Sequence, residues 1–350
     1  MIAPTPEQVL TALRSVRDPD LGQDIVTLGF VKDLKVCDGN VAFAIELTTP
    51  ACPVKDQMKA EAQRAVAALA GVQKVAVEMT ARVTASRPLL GDKGLIPGVK
   101  NVIAVSSGKG GVGKSTVAVN LACALQIAGA RVGILDADVY GPNVPLMLGL
   151  TGQPSVVDKR IVPFTQHGLQ VMSMALLIAE DQPVIWRGPM LHSAVRQFLF
   201  EVAWSDLDYL VVDLPPGTGD AQLSLSQQAH LMGAVIVTTP QDVSVLDVKK
   251  AIRMFQTVNV PILGVVENMA WFTPPGQSQR YHLFGKGGGE RIAAQFGVPL
   301  LGQIPIELEV REGGDRGQPI VVAAPESQSA RALTEIAGRI AQRVSVLNAE

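Results

Sequence analysis

Aromatic residues make up only 4% of this 350-residue sequence, and cysteine occurs three times. With so few rings the core has to be built from Val, Ile, Leu and Ala, as the cores of buried parallel sheets are. Cys37, Cys52 and Cys123 are an odd, scattered set, unlike the paired framework of a secreted domain, so reduced thiols are expected. His167, His192, His230 and His282 show no ligand spacing, which argues against a histidine-based metal site. A long Lys/Arg block and a basic amphipathic tail are both missing, and the formal net charge is −2. That removes the usual electrostatic reason to bind nucleic acid or an anionic surface. No apolar run reaches the roughly 18 residues that a membrane helix needs, and the N-terminal stretch lacks the basic, apolar and small-residue sequence of a signal. A cytoplasmic chain with neither nucleic acid nor membrane as partner is expected.

What is present falls into two parts. Up to residue 86 the pattern alternates: a helix over Glu7 to Val16, strands over Phe30 to Val36 and Val41 to Leu47 with an Asp38-Gly39 turn between them, an Ala-rich helix to about Ala70, and a strand over Val72 to Met79. This predicts a small α+β domain. Residues 87–100 carry two prolines and three glycines without sustained periodicity, as a linker does. From 101 to 350, apolar strand runs end at Ser106, Asp136, Asp213, Thr239 and Asn268 with helical stretches between most of them, which predicts right-handed βαβ units in a parallel α/β sheet. Ligands gather at the C-terminal ends of such strands. Neither an internal repeat nor a low-complexity segment interrupts the pattern.

The strand Asn101 to Ser106 leads into Gly108-Lys109-Gly110-Gly111-Val112-Gly113-Lys114-Ser115-Thr116, and Val117 to Ile127 continues as a helix. This is the P-loop pattern in its strand-loop-helix setting: glycines let consecutive N–H groups curl around phosphate oxygens, and the helix N-terminus adds its positive end. Lys114 is expected to reach the β and γ phosphates and Ser115 to ligate Mg²⁺. Two further strands end in acids, at Asp136-Ala137-Asp138 and at Asp213 of Asp213-Leu214-Pro215-Pro216-Gly217-Thr218-Gly219-Asp220. Asp213 is assigned to the Mg²⁺ shell, Asp138 to positioning the attacking water, and Asp136 to a supporting role.

A second lysine, Lys109, at the start of the loop resembles the deviant Walker A group that includes MinD, ParA and the nitrogenase iron protein. The resemblance implies an ATP-sandwich homodimer in which Lys109 crosses to the partner's nucleotide and neutralises charge that develops during phosphoryl transfer. Five stretches narrow it to the Mrp/ApbC family of iron–sulfur cluster carriers: Gly108 to Ser115, Asp136 through Gly141-Pro142, Trp186-Arg187-Gly188-Pro189-Met190, Asp213 to Asp220, and Glu267-Asn268-Met269. The implied chain is a parallel-sheet P-loop NTPase preceded by a small α+β domain, serving apo iron–sulfur proteins and assembly factors. By the same resemblance Asn268 reads the adenine edge and the Ile304-Pro305-Ile306 segment flanks the base. The N-terminal part resembles the PaaD-like domain through Asp18-Pro19 and Thr49 to Pro53.

One family feature is absent. The usual Cys-x-x-Cys pair after the Asn-Met step, counted without gaps, falls on Pro274 and Gln277, which are not thiolate ligands. Cys52, just ahead of a predicted helix whose dipole favours a thiolate, is the remaining candidate cluster ligand, and a buried inert thiol is the alternative. Cys37 and Cys123 read as structural, and His282 is a candidate substitute ligand because it lies in the family's cluster segment. Three readings stay open: a carrier that holds a cluster transiently, a nucleotide-switched dimer of the ParA/MinD kind without a cluster, and a scaffold that hydrolysis resets.

Overall fold

A computed structural model describes residues 3–86, 94–138, 141–177 and 188–349, the side chains of 177, 188–192 and 220–221 excepted. Residues 87–93 of the expected linker, Val139-Tyr140, and Trp186-Arg187 lie outside the described residues, as do the side chains of Gly188-Pro189-Met190 and His192. Contacts divide the chain into two units, 1–84 with 341–350, and 85–340. The sequence reading placed 341–350 with the second part.

In the first unit a capping box starts α1 (Pro6–Leu13): Gln8 N–H donates to Thr5 Oγ1 at 3.2 Å, and Thr5 N–H donates back to Gln8 Oε1 at 2.8 Å. β1 (Val31–Cys37) and β2 (Asn40–Leu47) are antiparallel, joined through Asp38 and Gly39 at φ 47° and 78°, the left-handed pair that a two-residue hairpin turn requires. α2 (Lys55–Ala67) then crosses over so that β3 (Lys74–Ala81) pairs parallel to β2. Met58, Ala62 and Val66, one turn apart on α2, bury against Val9, Leu13, Phe43 and Ile45.

The second unit is built on β4 (Val99–Ser107), α3 (Lys114–Ile127), β5 (Val132–Asp136), α4 (Val144–Leu148), the short hairpin β6 (Val156–Val157) and β7 (Arg160–Ile161), β8 (Phe164–Gln166), β9 (Leu169–Ser173), α5 (Gly188–Phe200), β10 (Leu207–Asp213), α6 (Asp220–Gln228), β11 (Gly233–Thr238), α7 (Asp242–Thr257), β12 (Ile262–Glu267), α8 (Gly288–Phe296), β13 (Leu300–Gln303), α9 (Leu308–Asp315), α10 (Ile320–Ala323) and the part of α11 (Gln328–Ala349) up to residue 340. Among the described residues eight strands form one sheet in the order β13-β12-β11-β4-β10-β5-β9-β8, parallel except for β8 against β9. β10, β11 and β12 are buried along their whole lengths, as strands covered by helices on both faces must be. The chain runs from β4 outward to β5 on one side and returns to place β11 on the other, so the C-terminal end of β4 lies where the connections diverge. The strands expected to end at Ser106, Asp136, Asp213, Thr239 and Asn268 end within one residue of those positions. None of the described helices is long and apolar enough to cross a membrane.

Candidate functional site

Between β4 and α3 the chain folds into a cradle whose glycines are dictated by close approach. A Cβ on Gly108 would lie 2.3 Å from the carbonyl carbon of Asp247, because the α7 backbone passes directly beneath the loop. Gly113 has φ +79°, and a Cβ there would lie 2.2 Å from Asn268 Nδ2. Beside the cradle is a cavity of about 410 Å³ lined by Lys109, Gly110, Gly111, Gly113, Lys114, Ser115, Thr116, Asp138, Asn143, Met147 and Pro216. The N-terminus of α3 opens onto it, which suits a bound phosphate chain.

Two carboxylates from adjacent strand ends converge on one lysine, and a third, Asp136, supports them. Lys114 Nζ donates to Asp213 Oδ1 at 2.6 Å, lies 3.8 Å from Asp138 Oδ2 and is 3.3 Å from Ser115 Oγ. Asp136 is fully buried and accepts from the Asp138 N–H at 3.1 Å, the Val144 N–H at 3.2 Å and Ser173 Oγ at 2.9 Å. Its own burial, and then the negative charge of Asp213, push its carboxyl above the usual carboxylate range, against the hydrogen bonds it accepts and the pull of Lys114. Burial also raises the carboxyl of Asp213, against the opposing pull of Lys114. Asp213 Oδ2 is buried with no hydrogen-bond partner among the described residues. An orphaned carboxylate oxygen beside a serine hydroxyl fits the water shell of Mg²⁺, an oxygen-seeking ion. The Gly141 N–H donates to Asp138 Oδ1 at 3.2 Å and fixes that carboxylate at the cavity wall.

Asn268 and Pro305 do not line the cavity. Asn268 donates its Nδ2 to the Val112 carbonyl at 2.9 Å, so this amide ties the end of β12 to the cradle. The Ile304 N–H donates to the Glu267 carbonyl at 2.9 Å and Ser329 Oγ to the Pro305 carbonyl at 3.4 Å, which sets Ile304-Pro305-Ile306 beside Asn268. Lys109 has no ion-pair partner among the described residues. One contact had no sequence signal: the fully buried Gln222 donates Nε2 to the Pro215 carbonyl at 2.6 Å, while the Gly217 N–H donates to the Ser107 carbonyl at 2.9 Å. A glutamine early in a helix looks like any solvated helical residue until the fold turns it inward.

In the first unit the expected thiolate is corrected. α2 begins at Lys55, and Cys52 is buried with 7% of its surface exposed. Burial raises its pKa, and the nearby carboxylates of Asp18 and Asp20 raise it further, more than the Val54 N–H offsets. The side chain is therefore a neutral thiol at neutral pH. Cys37 is exposed and Cys123 buried, its thiol pushed up to about 12. His282 Nδ1 is paired with the Ala270 carbonyl at 2.9 Å and His167 Nε2 with the Gly317 carbonyl at 3.0 Å. No cluster of three or more His, Cys, Asp or Glu with metal-holding geometry occurs among the described residues. Pro274 and Gln277 form a turn, with the Gln277 N–H on the Pro274 carbonyl at 3.1 Å.

Comparison with known proteins agrees with this geometry. Residues 98–341 match the family model of the NUBPL iron-transfer P-loop NTPase, and residues 6–79 that of an iron-sulfur cluster assembly protein. An iron-sulfur cluster carrier protein of Synechocystis sp. is 53% identical over 348 residues, 98% of each chain. The chloroplastic Fe-S cluster assembly factor HCF101 of Arabidopsis thaliana is 47% identical over 98% of this chain and 65% of its own length. A solved nucleotide-binding protein from Archaeoglobus fulgidus in complex with ADP is similar at TM-score 0.59 and 40% identity, over 67% of this chain and 91% of that one. The cell division ATPase MinD of Pyrococcus furiosus is similar at TM-score 0.52 and 25% identity, over 69% of this chain and 98% of its own.

Proposed function

The chain belongs to the NUBPL iron-transfer P-loop NTPase family, and from that premise we propose that it hydrolyses ATP to control capture and release of an iron–sulfur cluster for apoproteins. One observation carries the reading: Lys114, Asp138, Asp213 and Ser115 converge beside a glycine cradle at the ends of three neighbouring strands. Amides of Gly110 to Thr116 bind the phosphates, and Lys114 leaves Asp213 to meet the β and γ oxygens. Ser115 and Asp213 would hold Mg²⁺, which supplies positive charge against the phosphate oxygens. Asp138 orients the attacking water. Asn268, already fixed on the cradle, reads the adenine edge beside Pro305.

Lys109, at the cavity wall with no carboxylate of its own, is suited to act on a nucleotide bound by a second copy of the chain, so the working form is a homodimer closed by ATP. Lys109→Ala is then expected to cut turnover at least tenfold and to leave ATP affinity within about twofold. Turnover equal to the parent would remove the cross-dimer role.

The cluster is the cargo. Pro274 and Gln277 offer no thiolate, and Cys52 is a buried thiol, which favours transient holding with ligands shared by a partner. The same observation supports the second reading, a nucleotide-switched dimer without a cluster. Anaerobic reconstitution with iron and sulfide, read by absorbance and iron counting on the parent and on Cys52→Ser, separates them. A chromophore in the parent that Cys52→Ser loses supports the carrier reading through Cys52. An unchanged chromophore moves the ligands elsewhere, and a colourless parent selects the switch.

A further inference from the structure

After β12 the chain turns through Met269 at φ 56° and builds a hairpin that the nucleotide chemistry does not use. Phe272 and Tyr281 exchange both backbone hydrogen bonds at 2.8 Å, and the Pro274–Gln277 turn closes the tip. Residues 275–286 are all exposed. Among them Tyr281, Leu283 and Phe284 leave 40%, 60% and 37% of their surfaces in solvent. Three large apolar side chains within four residues, on a loop already ordered by backbone hydrogen bonds, are more than the scattered exposure ordinary surfaces show.

The charge of this segment runs against that of the chain. From Trp271 to Gly289 there is no acidic residue, whereas the whole sequence carries a net charge of −2. The Arg280 guanidinium lies over the Trp271 ring at 4.3 Å from its centre, which fixes its direction without neutralising it. Neither Arg280 nor Lys286 has a carboxylate within ion-pair distance among the described residues. Aromatic side chains and a pre-oriented arginine beside an apolar centre are what the anchor points of protein interfaces look like. Two cations are too few to track a phosphate backbone, and Leu283 offers nothing to a base.

We propose that the Trp271–Phe284 hairpin is the docking surface for the client apoprotein, which meets it with an acidic patch around an apolar centre. The proposal rests on the carrier reading above and names where the recipient binds. Its position links docking to the nucleotide. The Ile306 N–H donates to the Trp271 carbonyl at 2.7 Å and the Ala270 N–H to the Ile304 carbonyl at 2.9 Å, so the N-terminal root of the hairpin is bonded on both sides to the segment around Pro305. Asn268, two residues before Ala270, holds Val112 of the cradle. A client that favours one arrangement of this backbone changes ATP affinity, and ATP changes client affinity by the same factor.

The test uses the full chain and two variants, Arg280→Glu/Lys286→Glu and Tyr281→Ser/Leu283→Ser, with an iron-free ferredoxin, a small acidic iron–sulfur protein, as the labelled probe. Fluorescence anisotropy at low and physiological salt, ATP hydrolysis without probe, cluster reconstitution and oligomeric state are measured for each. Charge reversal is expected to weaken binding at least tenfold and to abolish its salt dependence. The apolar variant is expected to weaken it at least tenfold with the salt dependence retained. Hydrolysis without probe stays within about twofold of the parent in both. Binding unchanged in either variant overturns the proposal. So does a preference of the parent for a single-stranded oligonucleotide, or a variant that loses only its dimer, which would mean that a second copy covers the hairpin. A parent that builds a cluster yet ignores the ferredoxin overturns the docking surface alone. A parent that builds none removes the carrier reading on which it rests.

Discussion

Lys114 Nζ and Asp213 Oδ1 stand 2.6 Å apart with side chains 7% and 0% exposed, and Asp138 completes the group at 3.8 Å. One cation therefore balances buried carboxylates at the ends of two strands, and removing it leaves them without compensation.

Lys114→Met is accordingly expected to abolish ATP binding and to lower stability without added nucleotide by about 3 kcal/mol, proton uptake by Asp213 setting the upper limit. Lys114→Met/Asp213→Asn removes both charges and should recover most of that stability while remaining inactive. Urea unfolding of the parent and the two variants measures it. A double variant no more stable than the single one would show that the ion pair is not what the single substitution breaks.

At the opposite end of the sheet Asp208 of β10 is bonded to β4 and to the residue just before β5. Its carboxylate accepts from Lys100 Nζ at 2.8 Å, from the Arg131 main-chain N–H at 3.0 Å and from Arg131 Nη2 at 3.0 Å. Burial alone would raise its pKa, but Arg131 and Lys100 together outweigh burial and hold it below the usual carboxylate range. A depressed folded-state value stabilises the fold fully above the unfolded pKa of about 3.9 and loses that stability as pH falls through the folded one. Asp208→Asn should therefore cost about 1–2 kcal/mol at pH 7, trimmed because Arg131 is half-exposed, and the gap to the parent should shrink below about pH 4. Denaturant midpoints across that range test it, and a gap independent of pH would rule out the charge as its source.

What the sequence disclosed and what it withheld follow one physical division. The cradle, the acids at Asp136, Asp138 and Asp213, and the Asp38-Gly39 turn are local: each is specified by residues within a few positions, through glycine conformation or strand ends. The strands β8, β9 and β13 escaped because three to five residues carry too little periodicity to separate a strand from a loop. Asp208 and Gln222 escaped because their partners are distant in sequence or turned inward only by packing. Cys52 stayed open between thiolate and buried thiol for a related reason. Its place ahead of α2 suggested a thiolate, while its burial and the approach of Asp18 and Asp20 depend on the folded unit.

The thiols yield a direct check. Cys37 is exposed, whereas burial raises the thiols of Cys52 and Cys123, the latter to about 12. Since only the thiolate attacks a disulfide reagent, a thiol with a raised pKa stays unreactive until the pH approaches its own value. Titration of the folded chain with a chromogenic disulfide near pH 8 is expected to modify one thiol rapidly, and Cys37→Ser to remove that phase. Under denaturing conditions all three should react. A second rapid phase in the folded parent, lost in Cys52→Ser, would restore Cys52 as a thiolate.

Gln222 holds the loop that carries Asp213. Its Nε2 bond to the Pro215 carbonyl and the Gly217 bond to Ser107 pin both sides of Pro216, which forms part of the cavity wall. Its Oε1 is buried without a partner among the described residues, so Gln222→Leu removes an unpaired acceptor along with the donor, and the stability change should stay within about 1 kcal/mol. What is lost is position. A small misplacement of the phosphate-facing loop costs rate rather than affinity, so kcat should fall about tenfold with KM for ATP within about twofold. Gln222→Glu separates positioning from packing. An ionised carboxylate cannot donate to the Pro215 carbonyl, but burial raises the pKa of that group, and its protonated form can. The activity of Gln222→Glu relative to the parent should therefore rise as pH is lowered from about 8 to about 6. A flat ratio, or a leucine variant with parental kcat, would mean that Gln222 only fills space.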